Sequence, residues 1–331
     1  MAKILSDQKL DPTIINGGVI NSFKSNAKLG KGEWAILEAD ESDGSFLKLP
    51  INYSIVTNID FEHIDYYKSY KNLEKAFIEF INKTPPIGKS LICIDNKNIN
   101  KILSRIRNKN ILTYGFKKES NYRISNPRYN ANHSLFDLYY NNLNGSRRII
   151  RNINLRLIGR HNILNATAAV AVCINLGVKI DIIKKALKNF SGVQRRMTKI
   201  FTKNKNEFFD DYAHHPTEIK VVLEGVNKVY KGYEKVCIFQ PHRISRLKDL
   251  KKDFTYAFKN ADKVILLPIY TAGEKISLGF KYENFAREII KNSKVKLFLV
   301  DDRFQLAKYI KNNIYGKKIV IGMGAGTISN W

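Results

Sequence analysis

Several short stretches of this sequence set polar or charged residues at the ends of apolar runs, and each has a chemistry open to it. In EADESD, residues 38–43, four carboxylates fall within six residues directly behind WAIL. A charge run is ordinarily a solvated turn. Carboxylates this close repel one another unless cations neutralise them, and their oxygens are the ligands that hard Mg2+ selects. TNIDFEHID, residues 57–65, sets His63 between acidic residues; a single histidine is usually structural, and imidazole is a less typical Mg2+ ligand than carboxylate. DDYAHHPTE, residues 210–218, carries adjacent histidines ahead of Pro216. Proline suits the first position of a helix, where a missing amide hydrogen is harmless, so Asp211 and His214 are expected beside a helix N-terminus. The HHxxE order does not reproduce the HExxH spacing that puts two histidines on one helical face, which argues against zinc. In FQPHRISR, residues 239–246, Arg243 and Arg246 are three apart, and a planar guanidinium grips phosphate or carboxylate at two points. Finally, GRHNILNATAAVAV, residues 159–172, puts Asn162 and Asn165 in the first turn of a small-apolar helix behind Gly159 and His161. Asparagine is a weak helix former, because its amide competes for backbone groups, so another use for these side chains is called for.

The elements that would position these residues alternate between strand-like and helix-like patterns. WAILEAD (34–40), YSIVTNI (53–59) and SLICID (90–95) read as buried strands, and a helix between them carries Leu73, Ala76, Phe77, Phe80 and Ile81 on one face. Between about 111 and 157 several short strands with turns suggest an antiparallel patch. Helices over 162–176 and 181–190 follow, the second with Asp181 as its cap. A second alternating series runs from FFDDYA (208–213) through KVCIFQ, KVILLPIY and KVKLFLV to KKIVIGMG (317–324). The alternation implies an α/β fold with parallel sheets covered by helices, and a glycine near 191–194 marks a domain boundary. In such sheets ligands collect at the carboxyl ends of strands, which is where the polar clusters fall. The glycines of IGMGAG, at 322, 324 and 326, lack the spacing of a dinucleotide loop and mark a tight strand-to-helix turn instead.

A length of 331 residues with 44% hydrophobic content suffices for about two domains with full cores. No run approaches the roughly 20 apolar residues of a membrane helix, and MAKILSDQKLD lacks the unbroken apolar core of a signal peptide; a cytoplasmic protein is expected. The net charge of +26 invites a polyanion partner, but lysines are spread through every segment without aromatic interleaving, so no nucleic-acid partner is expected. Cys93, Cys173 and Cys237 all lie in apolar runs without CxxC spacing and read as buried thiols.

Six segments, NGGVINSF, EADESDGSFLKLP, TNIDFEHIDYY, GRHNILNATAAVAV, DDYAHHPTE and FQPHRISRLKDL, stand in the order in which they occur in the Mur ligases of peptidoglycan synthesis. The chain resembles that family over nearly its whole length, and the wording ESDGSFL and QPHRISR resembles its alanine-adding members most. The resemblance implies a central, mostly parallel-sheet domain of ATPase type over residues 1–190 and a C-terminal Rossmann-like α/β domain over 191–331. It implies ATP and Mg2+ as cofactors and UDP-N-acetylmuramate and L-alanine as substrates, joined through an acyl phosphate made from ATP. By the same likeness His161, Asn162 and Asn165 contact adenine and position the nucleotide, Glu38 and His63 face the metal, and Arg196 reaches the phosphates. Asp211 is then a nucleotide-contacting acid, while His214, Arg243 and Arg246 line the muramoyl and alanine substrates.

One departure bears on activity. The family carries an upstream UDP-binding domain and a glycine-rich phosphate loop ending in Lys-Thr, and no GxxxxGK[ST] or GxxGK[ST] string occurs in these residues. The final Trp331 stands where the family's last helix begins. A partial gene, a misassigned start and a split enzyme with a partner chain each account for the pattern. Little turnover is expected of the chain by itself, and the competing reading is a non-catalytic module that binds nucleotide or muramoyl groups.

Overall fold

The computed structural model describes residues 1–142, 144–275 and 281–331. The chain divides into two units, Met1–Ser191 and Gly192–Trp331. Among the described residues no helix is long and apolar enough to cross a membrane.

The first unit opens with α1 (Ala2–Asp7) and a small sheet of β1 (Thr13–Ile20), β2 (Ser25–Lys28) and β3 (Ala35–Leu37), in the order β2-β1-β3. Here the structure corrects the sequence reading. WAILEAD is not a buried strand of the main sheet: only Ala35–Leu37 is extended, Ala35 is exposed, and β3 pairs in parallel with β1. A sheet covered on one face needs no continuous apolar run.

The main sheet takes β4 (Tyr53–Val56), then, after α2 (Ile64–Tyr67) and α3 (Tyr70–Asn82), β5 (Lys89–Cys93), α4 (Lys97–Ile102), β6 (Ile111–Gly115), β7 (Tyr122–Asn130), β8 (His133–Asn141) and β9 (Arg147–Leu155). Its order follows the chain, β4-β5-β6-β7-β8-β9. Strands β4 to β7 run parallel and β7 to β9 antiparallel. The expected antiparallel patch is present, as three nine-residue strands rather than several short ones. Leu91, Ile92 and Cys93 of β5 are buried together, as a strand covered on both faces requires.

Helix α3 is capped by Ser69, whose hydroxyl accepts from the Asn72 amide at 3.2 Å, and it buries Leu73, Ala76, Phe80 and Ile81. Helix α5 (Arg160–Asn175) lies against β5 to β8. Its small side chains let it sit close, and a continuous run from Ala166 to Cys173 is buried; the one hydroxyl in that run, on Thr167, donates to the Ile163 carbonyl at 2.8 Å. Helix α6 (Ile180–Lys188) begins behind Lys179, so Asp181 sits in its first turn and is not the cap. There its charge still opposes the helix dipole.

The second unit holds β10 (Thr198–Lys203), β11 (Asn206–Asp211), α7 (Pro216–Val229), β12 (Glu234–Phe239), α8 (Ile244–Asp249), α9 (Lys251–Ala257), β13 (Lys263–Leu266), α10 (Tyr282–Ser293), β14 (Lys296–Leu299), α11 (Arg303–Asn313) and β15 (Lys318–Met323). Its sheet runs β10-β11-β15-β12-β13-β14, all parallel except the β10–β11 hairpin. Strand β15 therefore lies between β11 and β12, and Met323 is level with both Asp211 and Phe239. The carboxyl ends of β11 and β12, each followed by one of the polar stretches noted above, flank that of β15, which is followed by Gly324 and Gly326. All three cysteines are buried and unpaired.

Candidate active site

In the first unit, Glu38 follows β3 and its Oε2 accepts the Gly17 amide at 2.6 Å. A Cβ on residue 17 would stand 3.2 Å from that oxygen, so the glycine lets the carboxylate lie over β1. His63 precedes α2 with left-handed backbone, φ 57, and its Nε2 is 3.5 Å from Glu41 Oε1. The carboxylate found beside His63 is thus that of Glu41. The rest of the acidic stretch serves its own turns: Asp40 accepts the Ser42 amide and Asp43 the Ser45 amide. Hydrogen bonds from Ser45 hold the Asp43 carboxyl below its ordinary range.

At the head of α5, Gly159 adopts φ 104, and a Cβ there would meet the His161 ring at 2.8 Å. The imidazole packs onto the glycine. Asn162 donates its amide to the Ile158 carbonyl at 2.8 Å, which ties the helix start to the loop that leads into it from β9. Asn165, one turn on, is exposed. Sequence reasoning missed what anchors this turn. Asp95, just past β5, accepts the Phe116 amide at 3.0 Å, the Lys117 amide at 3.2 Å and the Arg160 guanidinium at 2.6 Å, while that guanidinium lies 3.6 Å from the centre of the Phe116 ring. The signal was present, since Asp95 ends the apolar run SLICI.

In the second unit, Asp211 ends β11 and is 2% exposed. Its Oδ1 accepts the Ala213 amide and its Oδ2 the Met197 amide, both at 2.8 Å. The acid thereby pins the Arg195–Met197 segment, where Arg195 and Met197 have positive φ. Arg195 is drawn in further, with Nε 3.3 Å from Asp210 and Nη2 donating to the Gly324 carbonyl at 2.5 Å. Arg196 stays more exposed, 3.5 Å from Glu218.

Burial pushes the Asp211 carboxyl up to about 6, against the two amides and Arg196, which favour its charged form. The native state then keeps this proton to near pH 6, whereas an unfolded chain releases it near about pH 4. The group's stabilising contribution is full below about pH 4 and lost as pH rises to about 6. Relative to the non-titrating Asp211→Asn variant, the wild-type chain is expected to be more stable at pH 4.5 than at pH 7.5. Chemical denaturation of both proteins at both pH values checks this, and an unchanged difference contradicts it.

Helix α7 starts with Pro216, as the sequence predicts, inside a capping box. The His215 ring accepts the Thr217 amide, and the Glu218 carboxylate accepts the His214 and His215 amides at 3.0 and 3.2 Å. Burial works against ionising Glu218, but His214, its amide and Arg196 outweigh it and hold the carboxyl below its ordinary range. His214 Nδ1 is 3.0 Å from the Tyr212 carbonyl. A carbonyl only accepts, so Nδ1 carries the proton and, in the neutral ring, Nε2 is the acceptor.

Beyond β12, His242 bridges in strand fashion to Tyr270 and stacks on its ring, with centres 5.4 Å apart; the His214 ring centre is 5.9 Å away. Arg246 Nη1 approaches His242 Nδ1 at 3.1 Å. A guanidinium only donates, so Nδ1 accepts and the neutral ring is protonated at Nε2. Burial, then Arg246, His214 and Arg243, push the His242 imidazole down to about 4. Arg243 is exposed, with φ 67, and its amide donates to the Tyr270 carbonyl at 2.9 Å. In this unit the structure thus brings His214, Arg243 and Arg246 together and adds His242 and Tyr270. The tight turn after β15 is as expected, since Gly324 has φ 151 and a Cβ there would meet the Gln240 carbonyl oxygen at 2.7 Å. Among the described residues no three His, Cys, Asp or Glu side chains gather as a metal cage.

Comparison with known proteins gives family matches to both units: the Mur ligase middle domain over residues 14–173, and the Mur ligase, glutamate ligase domain over residues 195–326. A UDP-N-acetylmuramate–L-alanine ligase of Pelagibacter ubique is 62% identical over 332 residues, covering 100% of this chain and 71% of the relative. The enzyme of the same name from Brucella anthropi is 40% identical, with 100% and 70% covered. Among solved structures, the UDP-N-acetylmuramate-alanine ligase of Thermotoga maritima matches with a TM-score of 0.79 at 26% identity, over 99% of this chain and 69% of that one.

Proposed function

The chain belongs to the Mur ligase family, and from that premise we propose that it carries out ATP-dependent ligation of L-alanine to UDP-N-acetylmuramate. The observation that supports this best is the cluster of His214, His242, Arg243 and Arg246 where β11 and β12 end beside β15. It offers two guanidiniums and two imidazoles of fixed tautomer, which suits an anionic substrate that is attacked by an amine.

A carboxylate is a poor electrophile. In the proposed sequence the lactyl carboxylate oxygen attacks the γ-phosphorus of ATP, ADP leaves, and the product is an acyl phosphate. The alanine amine then attacks the acyl carbon, and inorganic phosphate leaves as the amide forms. Arg243 and Arg246 stabilise the negative charge on the muramoyl group and its tetrahedral intermediate. His214, which in its neutral form accepts at Nε2, takes the proton that the alanine amine sheds as its nitrogen becomes the amide. His242, protonated at Nε2 and held neutral, donates a hydrogen bond and adds no further positive charge.

In the first unit, His161 and Asn165 at the head of α5 offer ring and amide groups to adenine, and Asn162 fixes the helix start. Arg196 serves the phosphates, and Asp211 acts by holding the segment that carries Arg196. The exposed Glu38 carboxylate, with His63 beside Glu41, fits a hydrated Mg2+ bound largely through nucleotide phosphates, as this ion prefers; such an ion would neutralise phosphate charge.

The test has two arms. Calorimetry on the 331-residue chain should show binding of ATP with Mg2+ and of UDP-N-acetylmuramate. A fusion that places these residues behind the remaining N-terminal part of the Pelagibacter ubique relative, where the family resemblance puts the phosphate loop, should form UDP-N-acetylmuramoyl-alanine and release phosphate. Binding without product, from a fusion whose parent is active, would favour a binding module and overturn the proposal.

A further inference from the structure

Glu274, in the loop after β13, makes contacts that a surface carboxylate seldom makes. Its Oε2 accepts the Ile244 amide at 2.7 Å and the Ser245 amide at 3.0 Å, and its Oε1 accepts the Ser245 hydroxyl at 2.6 Å. These are the first amides of α8, which helical bonds leave without partners. The residue ahead of them, Arg243, is held at φ 67 with its own amide bound to the Tyr270 carbonyl, a backbone state that persists only when its surroundings enforce it. One carboxylate and one carbonyl, both from the segment after β13, thus clamp the turn from which Arg243 and Arg246 project.

We propose that Glu274 is a positioning residue for the muramoyl-binding arginines: it fixes the first turn of α8, so that Arg246 stays on His242 and Arg243 keeps its left-handed backbone. By filling the helix N-terminus with the protein's own anion, it also leaves recognition of the substrate's charge to the guanidiniums. The kinetic part of this inference rests on the ligase reading above, and the geometric part does not.

The geometric part is read on the 331-residue chain by following the His242 ring by NMR. The groups facing that ring are Arg246, His214, Arg243, Glu274 and the stacked Tyr270. The sign of the change separates two roles. Glu274 favours protonation of His242 and Arg246 opposes it. Loss of the carboxylate's charge alone would push the imidazole further down, whereas release of Arg246 moves it up. Glu274→Ala is expected to raise the titration midpoint of His242, and Glu274→Gln, which keeps an acceptor for the two amides, to leave it nearly unchanged or slightly lower.

In the fusion enzyme, Glu274→Ala should raise KM for UDP-N-acetylmuramate about tenfold with little change in KM for ATP, and Glu274→Gln should restore most of it. A wild-type fusion without ligase activity would count against the ligase reading alone, since the His242 titration still tests the clamp. Two results overturn the clamp: a midpoint that falls or stays in the alanine variant, or a glutamine variant that behaves like alanine. If the alanine variant does not fold, hydrogen exchange of the Ile244 and Ser245 amides in the wild-type chain decides. Protection supports the capping, and exchange at the rate of open amides overturns it.

Discussion

Changing Arg246 to alanine in the fusion enzyme should lower kcat/KM for UDP-N-acetylmuramate by about 10²–10³-fold and leave the KM for ATP nearly unchanged. Arg246 is half-buried, and its guanidinium donates both to the His242 ring and to the His242 carbonyl at 3.3 Å. It is therefore ordered before any substrate arrives, and the entropy of fixing a long side chain is not charged to binding. A charge-assisted bond from a preset, partly desolvated guanidinium is among the strongest single contacts a site can offer. Lysine at 246 should recover little, because a point charge cannot hold the His242 contacts and a carboxylate together. The same alanine variant should raise the His242 midpoint from about 4 toward the ordinary histidine range, since the nearest opposing cation is gone. Steady-state kinetics and NMR titration check the two parts; a kcat/KM within a few-fold of wild type would remove Arg246 from the substrate's contacts.

The second large effect is expected at Asp95. Its side chain is 11% exposed and takes two backbone amides and one guanidinium, so Asp95→Ala leaves three donors without their acceptor and should destabilise the first unit by about 2–4 kcal/mol. Arg160, the first residue of α5, then loses its tether. Affinity for ATP measured by calorimetry should fall as well, even though Asp95 is not proposed to touch the nucleotide. Asp95→Asn, which keeps one acceptor oxygen, should fall between the two. Gly115 makes the arrangement possible: at φ 155, a Cβ there would stand 2.4 Å from Asp95 Oδ1, so only glycine lets the carboxylate reach across to β6. Urea unfolding with an unchanged midpoint would contradict the account.

Legibility in the sequence followed physical range. Buried strands and their helices were readable because burial writes a periodic apolar pattern along the chain: β5, β12, β13 and α3 appear close to where that pattern puts them. The start of α7 was readable because Pro216 and Glu218 are local signals. WAILEAD misled because a strand at the edge of a three-stranded sheet can look as apolar as one in a core, and Asp181 misled because an acid in a first turn resembles a cap.

At the site, the side chains at the ends of β11 and β12 were legible because polar residues stand immediately past an apolar run. Their neighbours in space were not. Tyr270 reaches His242, and Glu274 reaches Ile244, from the far side of β13, and no spacing within one segment encodes a contact made across two strands. Glu41 beside His63 shows the same limit at shorter range: the acidic stretch was visible, but which of its carboxylates meets the imidazole depended on how the turn closes.

The order of strands in the second unit also bears on how the molecule comes into being. Strand β15 follows the other five strands of its sheet along the chain, yet it fills the gap between β11 and β12. Until Lys318–Met323 emerges, those two strands have no partner across that gap, and the nascent polypeptide presents unpaired edges of Phe208, Phe209, Val236 and Ile238 to whatever is nearby. Completion of this sheet therefore waits for β15, and until it pairs, the open edges of β11 and β12 are templates for wrong partners.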